Sequence, residues 1–250
     1  MIGWLRGERG QAAGDPVLDL ARGPLPITIR RHPRATRLTM RLAPDGSELR
    51  MTMPRWGRTA DALAFARSRA EWVEAQLARV PPALDIAPGA RLPFRGRCVE
   101  IAWQKSAPRR PVVDGGTLLV GGPPDNLAQR IRRWMEGEAL AHLATDLAHY
   151  CMRAGQPLPE LRLSRAQRRW GSCSSGRGRV GKRCIRINWR LIMAPDSVRR
   201  SVVAHEVAHL AHFDHSPAFY AMLDSLFDGD LEEADRWLKR EGRGLYAPFG

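Results

Sequence analysis

The run Val202-Val203-Ala204-His205-Glu206-Val207-Ala208-His209-Leu210-Ala211, with His215 shortly after it, constrains this chain more than any other segment. His205 and His209 are four residues apart. On an α-helix both imidazoles then leave the same face and can share one metal ion, with Glu206 beside them where a metal-activated water would lie. The flanking positions are apolar or small and no proline interrupts them. Ala194-Pro195-Asp196-Ser197 suits a helix start. Such a helix must bury its apolar flanks yet keep one face open, because a buried, unpaired Glu206 would be costly. The competing reading is a core helix whose histidines are hydrogen-bonded and bind nothing. The two histidines, the intervening Glu206 and a further histidine downstream favour the metal site.

A catalytic zinc takes three protein ligands and keeps a fourth position for water. Two histidines could supply the third. His212 continues the helical face, but the helix rise of ~1.5 Å per residue carries it along the axis, away from a compact tetrahedral site. His215 is favoured, because Phe213-Asp214 can end the helix and fold it back, which leaves His212 as a surface or supporting group. The spacing HExxHxxxxxH is that of metzincins, but position 212 is His where they carry glycine, and no Met-turn context is evident. Metzincin membership is therefore not expected.

Several segments together resemble a known family. Arg169-Trp170-Gly171-Ser172-Cys173-Ser174, then Ile187-Asn188-Trp189-Arg190-Leu191-Ile192 with Ala194-Pro195, then the HExxH helix and His215-Ser216-Pro217-Ala218-Phe219, look like the YgjP-like metallopeptidases, relatives of the SprT and WLM zinc proteases. Upstream, residues 27–54, the segment around Trp72 and Leu92-Pro93-Phe94-Arg95-Gly96 extend the resemblance over nearly all the chain beyond residue 25. It implies a minigluzincin-like catalytic domain, one Zn²⁺ per chain on His205, His209 and His215, and Glu206 as catalytic acid and base. The Arg-rich turn Gly176-Arg177-Gly178-Arg179 departs from the family's pattern without touching the catalytic set.

Composition narrows the class without choosing a substrate. At 250 residues and 44% hydrophobic content the chain can bury a substantial core in one domain or two small ones. No apolar run approaches the ~20 residues of a membrane span, and residues 1–15 lack the apolar centre of a secretory signal, so a cytoplasmic protein is expected. Cys98, Cys151, Cys173 and Cys184 form no CxxC pair, which points to reduced thiols; Cys173 and Cys184 could face each other across a hairpin, which spacing alone does not decide. The net charge of +14 is spread along the chain, and only three of its forty basic residues are lysines. A solvated basic surface accounts for most of this. Residues 160–190 nevertheless hold ten basic side chains and one acid, whereas 224–235 hold six acids and no base, so 162–190 is a candidate anion or nucleic-acid contact. No helix-turn-helix, zinc-finger or RNP signature accompanies it.

Periodicity organises the rest. Residues 1–24 lack it and read as a mobile arm. Residues 27–30, 37–42 and 49–53 alternate as strands, with Pro44-Asp45-Gly46 as a turn. Residues 59–80 read as one amphipathic helix with Leu63, Phe65, Trp72, Val73 and Leu77 near one face. Short strands near 91–103 and 111–120 complete a β-rich subdomain over 25–122, and Gly121-Gly122-Pro123-Pro124 reads as a loop between halves. Over 123–250 the expectation is a long helix at 126–153 striped by Trp134, Leu140, Leu143 and Leu147, with His142 and His149 as packing or surface groups. A strand at 160–164, a hairpin across 168–190, the metal helix and a helix near 229–240 follow.

The expected fold is thus α+β: a zincin-like catalytic domain with the HExxH helix beside a small sheet, preceded by the β-rich part. The hairpin before the metal helix can pair with an extended peptide by backbone hydrogen bonds. Glu206 would take a proton from water and pass it to the leaving amine. Tyr220 is a candidate oxyanion donor, otherwise packing with Phe219, and Arg169 a candidate substrate contact. Trp170 reads as a core anchor and Ser172 as a turn or cleft hydroxyl with no base paired to it. The leading expectation is a zinc-dependent endopeptidase or aminopeptidase-like hydrolase acting on peptide or protein. The alternatives are a nucleic-acid-associated protein that processes DNA-bound proteins, a non-peptidase zinc hydrolase, or a zinc that only stiffens the fold.

Overall fold

The computed structural model describes residues 16–176 and 183–249, and the fold is α+β. It divides into two units, Met1–Pro81 and Pro82–Gly250. In the first, β1 (Val17–Leu20), β2 (Gly23–Arg31), β3 (Thr39–Leu42) and β4 (Leu49–Met53) form a sheet in the order β1-β2-β4-β3. The central pair is parallel and the outer pairs are antiparallel. Leu49, Met51 and Met53 alternate inward from β4 onto Ala62, Ala66, Val73 and Leu77 of α1 (Thr59–Ser68) and α2 (Ala70–Leu77).

Two expectations change here. The single helix over 59–80 is broken at Arg69, whose φ of −115° and ψ of 15° leave the helical region, so the residues beyond it fall out of phase and Trp72 is exposed. Within the arm expected over 1–24, Val17–Leu20 is a strand paired with β2, anchored by buried Leu18; residues 1–15 lie outside the described residues.

The second unit opens with β5 (Arg91–Phe94), β6 (Arg97–Trp103), β7 (Val112–Asp114) and β8 (Thr117–Val120), ordered β5-β6-β8-β7. Strand order and pairing senses repeat those of the first sheet. The sequence division at 122/123 falls inside this unit, because Leu92, Ile101 and Leu118 share one buried cluster with Leu143 and Val203. The β5–β6 turn, Arg95-Gly96, has φ of 50° and 75°, the type I′ geometry that suits a two-residue hairpin. Its N–H groups donate to the carbonyls of Ile192 and Met193 at 2.8 and 3.2 Å. A Cβ at residue 96 would lie 2.9 Å from the Pro195 Cα, so only glycine fits this approach.

A single 27-residue helix, α3 (Leu127–Arg153), forms the spine of the unit. Its buried face runs Leu127, Ile131, Met135, Ala139, Leu143, Leu147 and Tyr150, whereas Leu140 is 45% exposed and falls outside the expected stripe. Next come β9 (Glu160–Ser164), β10 (Gly171–Ser174) and β11 (Cys184–Asn188), ordered β10-β11-β9, with β9 parallel and β10 antiparallel to β11. The turn expected over 174–181 falls mostly within residues 177–182, which lie outside the described residues. Buried Asn188 ends β11. Its side chain accepts from the Arg190 N–H at 3.1 Å and donates to the Ala166 carbonyl at 2.8 Å, capping the 3-10 turn Trp189–Ile192 that leads to α4 (Asp196–Ala208). Then come α5 (Pro217–Leu226), α6 (Leu231–Glu241) and a last 3-10 turn, Gly242–Tyr246.

Charged groups tie α4 to its surroundings. Buried Arg199 donates from Nε to Asp146 on α3 at 2.7 Å and also bonds Asp196, which accepts from Arg95 Nε at 3.1 Å. A buried guanidinium needs such partners, since an unpaired buried charge is strongly unfavourable.

Candidate metal centre and active site

Helix α4 ends at Ala208, leaving His209 at its C-cap; the chain turns and His215 returns just before the Ser216 cap of α5. One nitrogen from each of His205, His209 and His215 can be chosen so that all lie within 4.8 Å of one another. The Nε2 atoms of His205 and His215 are 3.4 Å apart. Ligands at ~2.0–2.1 Å in a tetrahedron are separated by roughly 3.3 Å, so the donor set fits a zinc-sized ion. The Nδ1 of His209 lies 2.9 Å from the His212 carbonyl oxygen. A protonated Nδ1 donating to that carbonyl leaves Nε2 as the ligand, the usual way a supporting group fixes a metal-binding tautomer. His212 thus reaches the site through its backbone, and its imidazole is not in the converging set.

Burial tunes these groups. It pulls His205 down to about 4, with the His209 and His215 imidazoles adding to the effect, so this ring is neutral and able to ligate at neutral pH. Burial pushes the Glu206 carboxyl up to about 7, against the charge of Arg169 and a backbone hydrogen bond from Cys173. Glu206 is 5% exposed and its Oε2 has no hydrogen-bond partner. That orphaned atom, on a residue that lines the same cavity as the metal-site histidine His205, is what a site for a metal and a water would leave.

Phe219 forms the base of the cluster. It is fully buried, with its ring centroid 5.0, 4.5 and 4.9 Å from those of His205, His209 and His215. A cavity of about 720 Å³ adjoins Glu206 and His205. Arg169 and Tyr220 both line it, and Tyr220 is 51% exposed, 6.3 Å from His215 between ring centroids. Trp170 also lines it and packs on Tyr246 at 5.8 Å. Strand β10 is the sheet edge nearest this helix, its Gly171 against the Glu206 side chain.

The structure sharpens one residue and adds others. Phe219, expected only to pack with Tyr220, sits four residues after His215 on α5, whose start Ser216-Pro217 signals, and supports all three imidazoles. The contribution of α6 to the cavity has no local signal. Cys184 pairs with Ser174, and Cys173 with Ile185, so the two cysteines are not opposite each other; all four cysteines are free. The basic segment is partly engaged. Arg162 pairs with Glu160, Arg165 with Glu136, Arg183 with Gln156 and the Leu210 carbonyl, and Arg190 lies buried over Trp189 and Tyr246.

An α+β fold with an HExxH helix beside a small sheet is the architecture of a metal-dependent peptidase. The chain belongs to the YgjP-like metallopeptidase family, whose domain matches residues 36–241. Among solved structures, the metallopeptidase zymogen of Pyrococcus abyssi abylysin is similar at 21% identity, over 40% of this chain and 96% of that one, with a TM-score of 0.35. No curated protein matches the chain. Among the described residues, no helix is long and apolar enough to cross a membrane.

Proposed function

We propose that the protein is a zinc-dependent peptidase in which His205, His209 and His215 hold one Zn²⁺ and Glu206 is the general base. The observation that carries this reading is the convergence of three imidazoles, with the buried, unpartnered Oε2 of Glu206 on a residue that shares a cavity with His205. When bound, zinc supplies a Lewis acid that polarises a carbonyl and makes water acidic near pH ~7. The chain's own groups do the rest. Glu206 accepts the proton of the attacking water and returns it to the leaving amine, the exchange suited to a carboxyl raised toward neutrality. The Cys173 N–H and the Gly171 backbone hold that carboxylate in place. The open edge of β10 pairs with an extended substrate through backbone hydrogen bonds, bringing the scissile bond past Glu206. Tyr220 and Arg169, on the cavity wall, are placed to meet the developing oxyanion or a substrate carboxylate.

The test joins metal analysis to cleavage. One zinc per chain, weakened by His215→Ala, with peptide-library cleavage abolished in Glu206→Gln while zinc is retained, is the expected result. Unchanged cleavage in Glu206→Gln would reduce the metal to a structural role. No specific observation favours the nucleic-acid reading, in which Arg168, Arg169 and Arg186 would be the described side chains left to contact phosphates.

A further inference from the structure

The cavity beside Glu206 has a chemistry of its own. Its lining combines apolar Val202, Leu223, Leu231 and Leu238 with the acids Asp224, Glu232 and Asp235, and Arg169 lines it as well. Asp235 is committed to Lys239, whose Nζ is 2.5 Å away. The carboxylates of Asp224 and Glu232 have no ion-pair partner among the described residues. Helix stability accounts for Glu232, which lies in the first turn of α6, where an acid complements the helix dipole. It does not account for Asp224, which lies in the last turn of α5, where the dipole opposes an acid. The same cavity is lined by Glu206, 5% exposed and with an unpartnered Oε2, so the acids and the proposed general base share one cavity.

We propose that this cavity receives a lysine or arginine side chain of the peptide substrate, its aliphatic stem on the four apolar lining residues and its cation paired with Asp224 and Glu232. The inference rests on the peptidase reading above and names the substrate class. Long basic side chains lay their methylenes on apolar surface while the charged end seeks carboxylates. A norleucine stem would cover the apolar lining but leave the two carboxylates unpaired, and an acidic side chain would be repelled. Arg169, which also lines the cavity, repels a second cation. A peptide's α-amine lacks the stem that the apolar lining accommodates.

The test uses acetylated, amidated alanine-rich hexapeptides carrying one lysine or one norleucine at each position in turn. Binding is measured by competition anisotropy on zinc-loaded Glu206→Gln protein, and cleavage on zinc-loaded wild type. At one position lysine should bind about fivefold more tightly than norleucine at low salt, the difference shrinking as salt rises. Adding Asp224→Asn and Glu232→Gln should bring that ratio to about one, and Asp224→Lys with Glu232→Lys should turn the preference toward glutamate. Glu233→Gln removes the same charge from α6 outside the cavity and should leave the ratio as it is. Equal binding at every position, a lysine preference that survives the double substitution, or one confined to peptides with a free N-terminus would overturn the proposal. Lysine-selective binding without cleavage would count against the peptidase reading and leave this one standing.

Discussion

A Cβ on residue 171 would stand 2.4 Å from Oε1 of Glu206, so the proposed general base rests on the bare backbone of a glycine in the neighbouring strand. Gly171→Ala should push the carboxylate out of position without touching the imidazoles. The expected result is near-wild-type zinc content with kcat reduced by ~10²-fold or more, since a displacement of about 1 Å at a reacting group is enough for that. Wild-type kcat in this variant would show that Glu206 tolerates the shift.

The histidines should separate by role. His215→Ala removes a converging nitrogen and should lower zinc occupancy in a chelator competition, whereas His212→Ala keeps the carbonyl that meets His209 and should retain zinc. Equal loss in both variants would mean that the His212 imidazole matters after all.

Phe219 touches all three rings. Phe219→Ala should cost ~3–5 kcal/mol by urea unfolding of the metal-free protein and also weaken zinc binding, because the rings lose their common support. Phe219→Leu should recover most of both. A zinc affinity unaffected by Phe219→Ala would confine the residue to packing.

Arg199 is buried between Asp146 and Asp196. Asp146→Ala leaves that guanidinium short of a partner and should destabilise the fold by ~3–5 kcal/mol. A change under 1 kcal/mol would mean that water or Asp196 replaces the lost partner.

The same network predicts a pH response. Burial disfavours ionised Asp196, but the hydrogen bond from Arg95 and the charge of Arg199 outweigh it and hold the carboxyl at about 2, below its ordinary 3.8. A folded value below the unfolded one means that the stabilisation is complete above pH 3.8 and is lost as pH falls toward about 2. The wild-type urea midpoint should therefore fall more between pH 5 and pH 3 than that of Asp196→Asn. Parallel curves would remove Asp196 from the acid response.

Local patterning made part of this architecture legible. His205, Glu206 and His209 are bound by helical spacing, β4 by strict alternation, and α3 by a long apolar period. What stayed hidden depends on contacts distant in sequence. The cavity that Asp224, Glu232 and Leu238 share with Glu206 arises only when α5 and α6 pack against α4. The break at Arg69 is one non-helical residue inside an otherwise helical composition. The offset between Cys173 and Cys184 follows from hairpin register, which a long turn leaves free. Nothing in local patterning sets Gly171 and Gly96 apart; what makes them special is the approach of Glu206 and Pro195.

Strand β10 is four residues long. A template that short offers an incoming chain only a few backbone hydrogen bonds, each contributing ~1 kcal/mol net. If substrate pairs there as proposed, grip on the main chain would be loose and indifferent to sequence, and residence time would be set by whichever side chain finds a seat. On the proposed reading, folded proteins, which cannot offer even that short extended stretch, would be poor substrates, and loose ends and open loops would be the segments held.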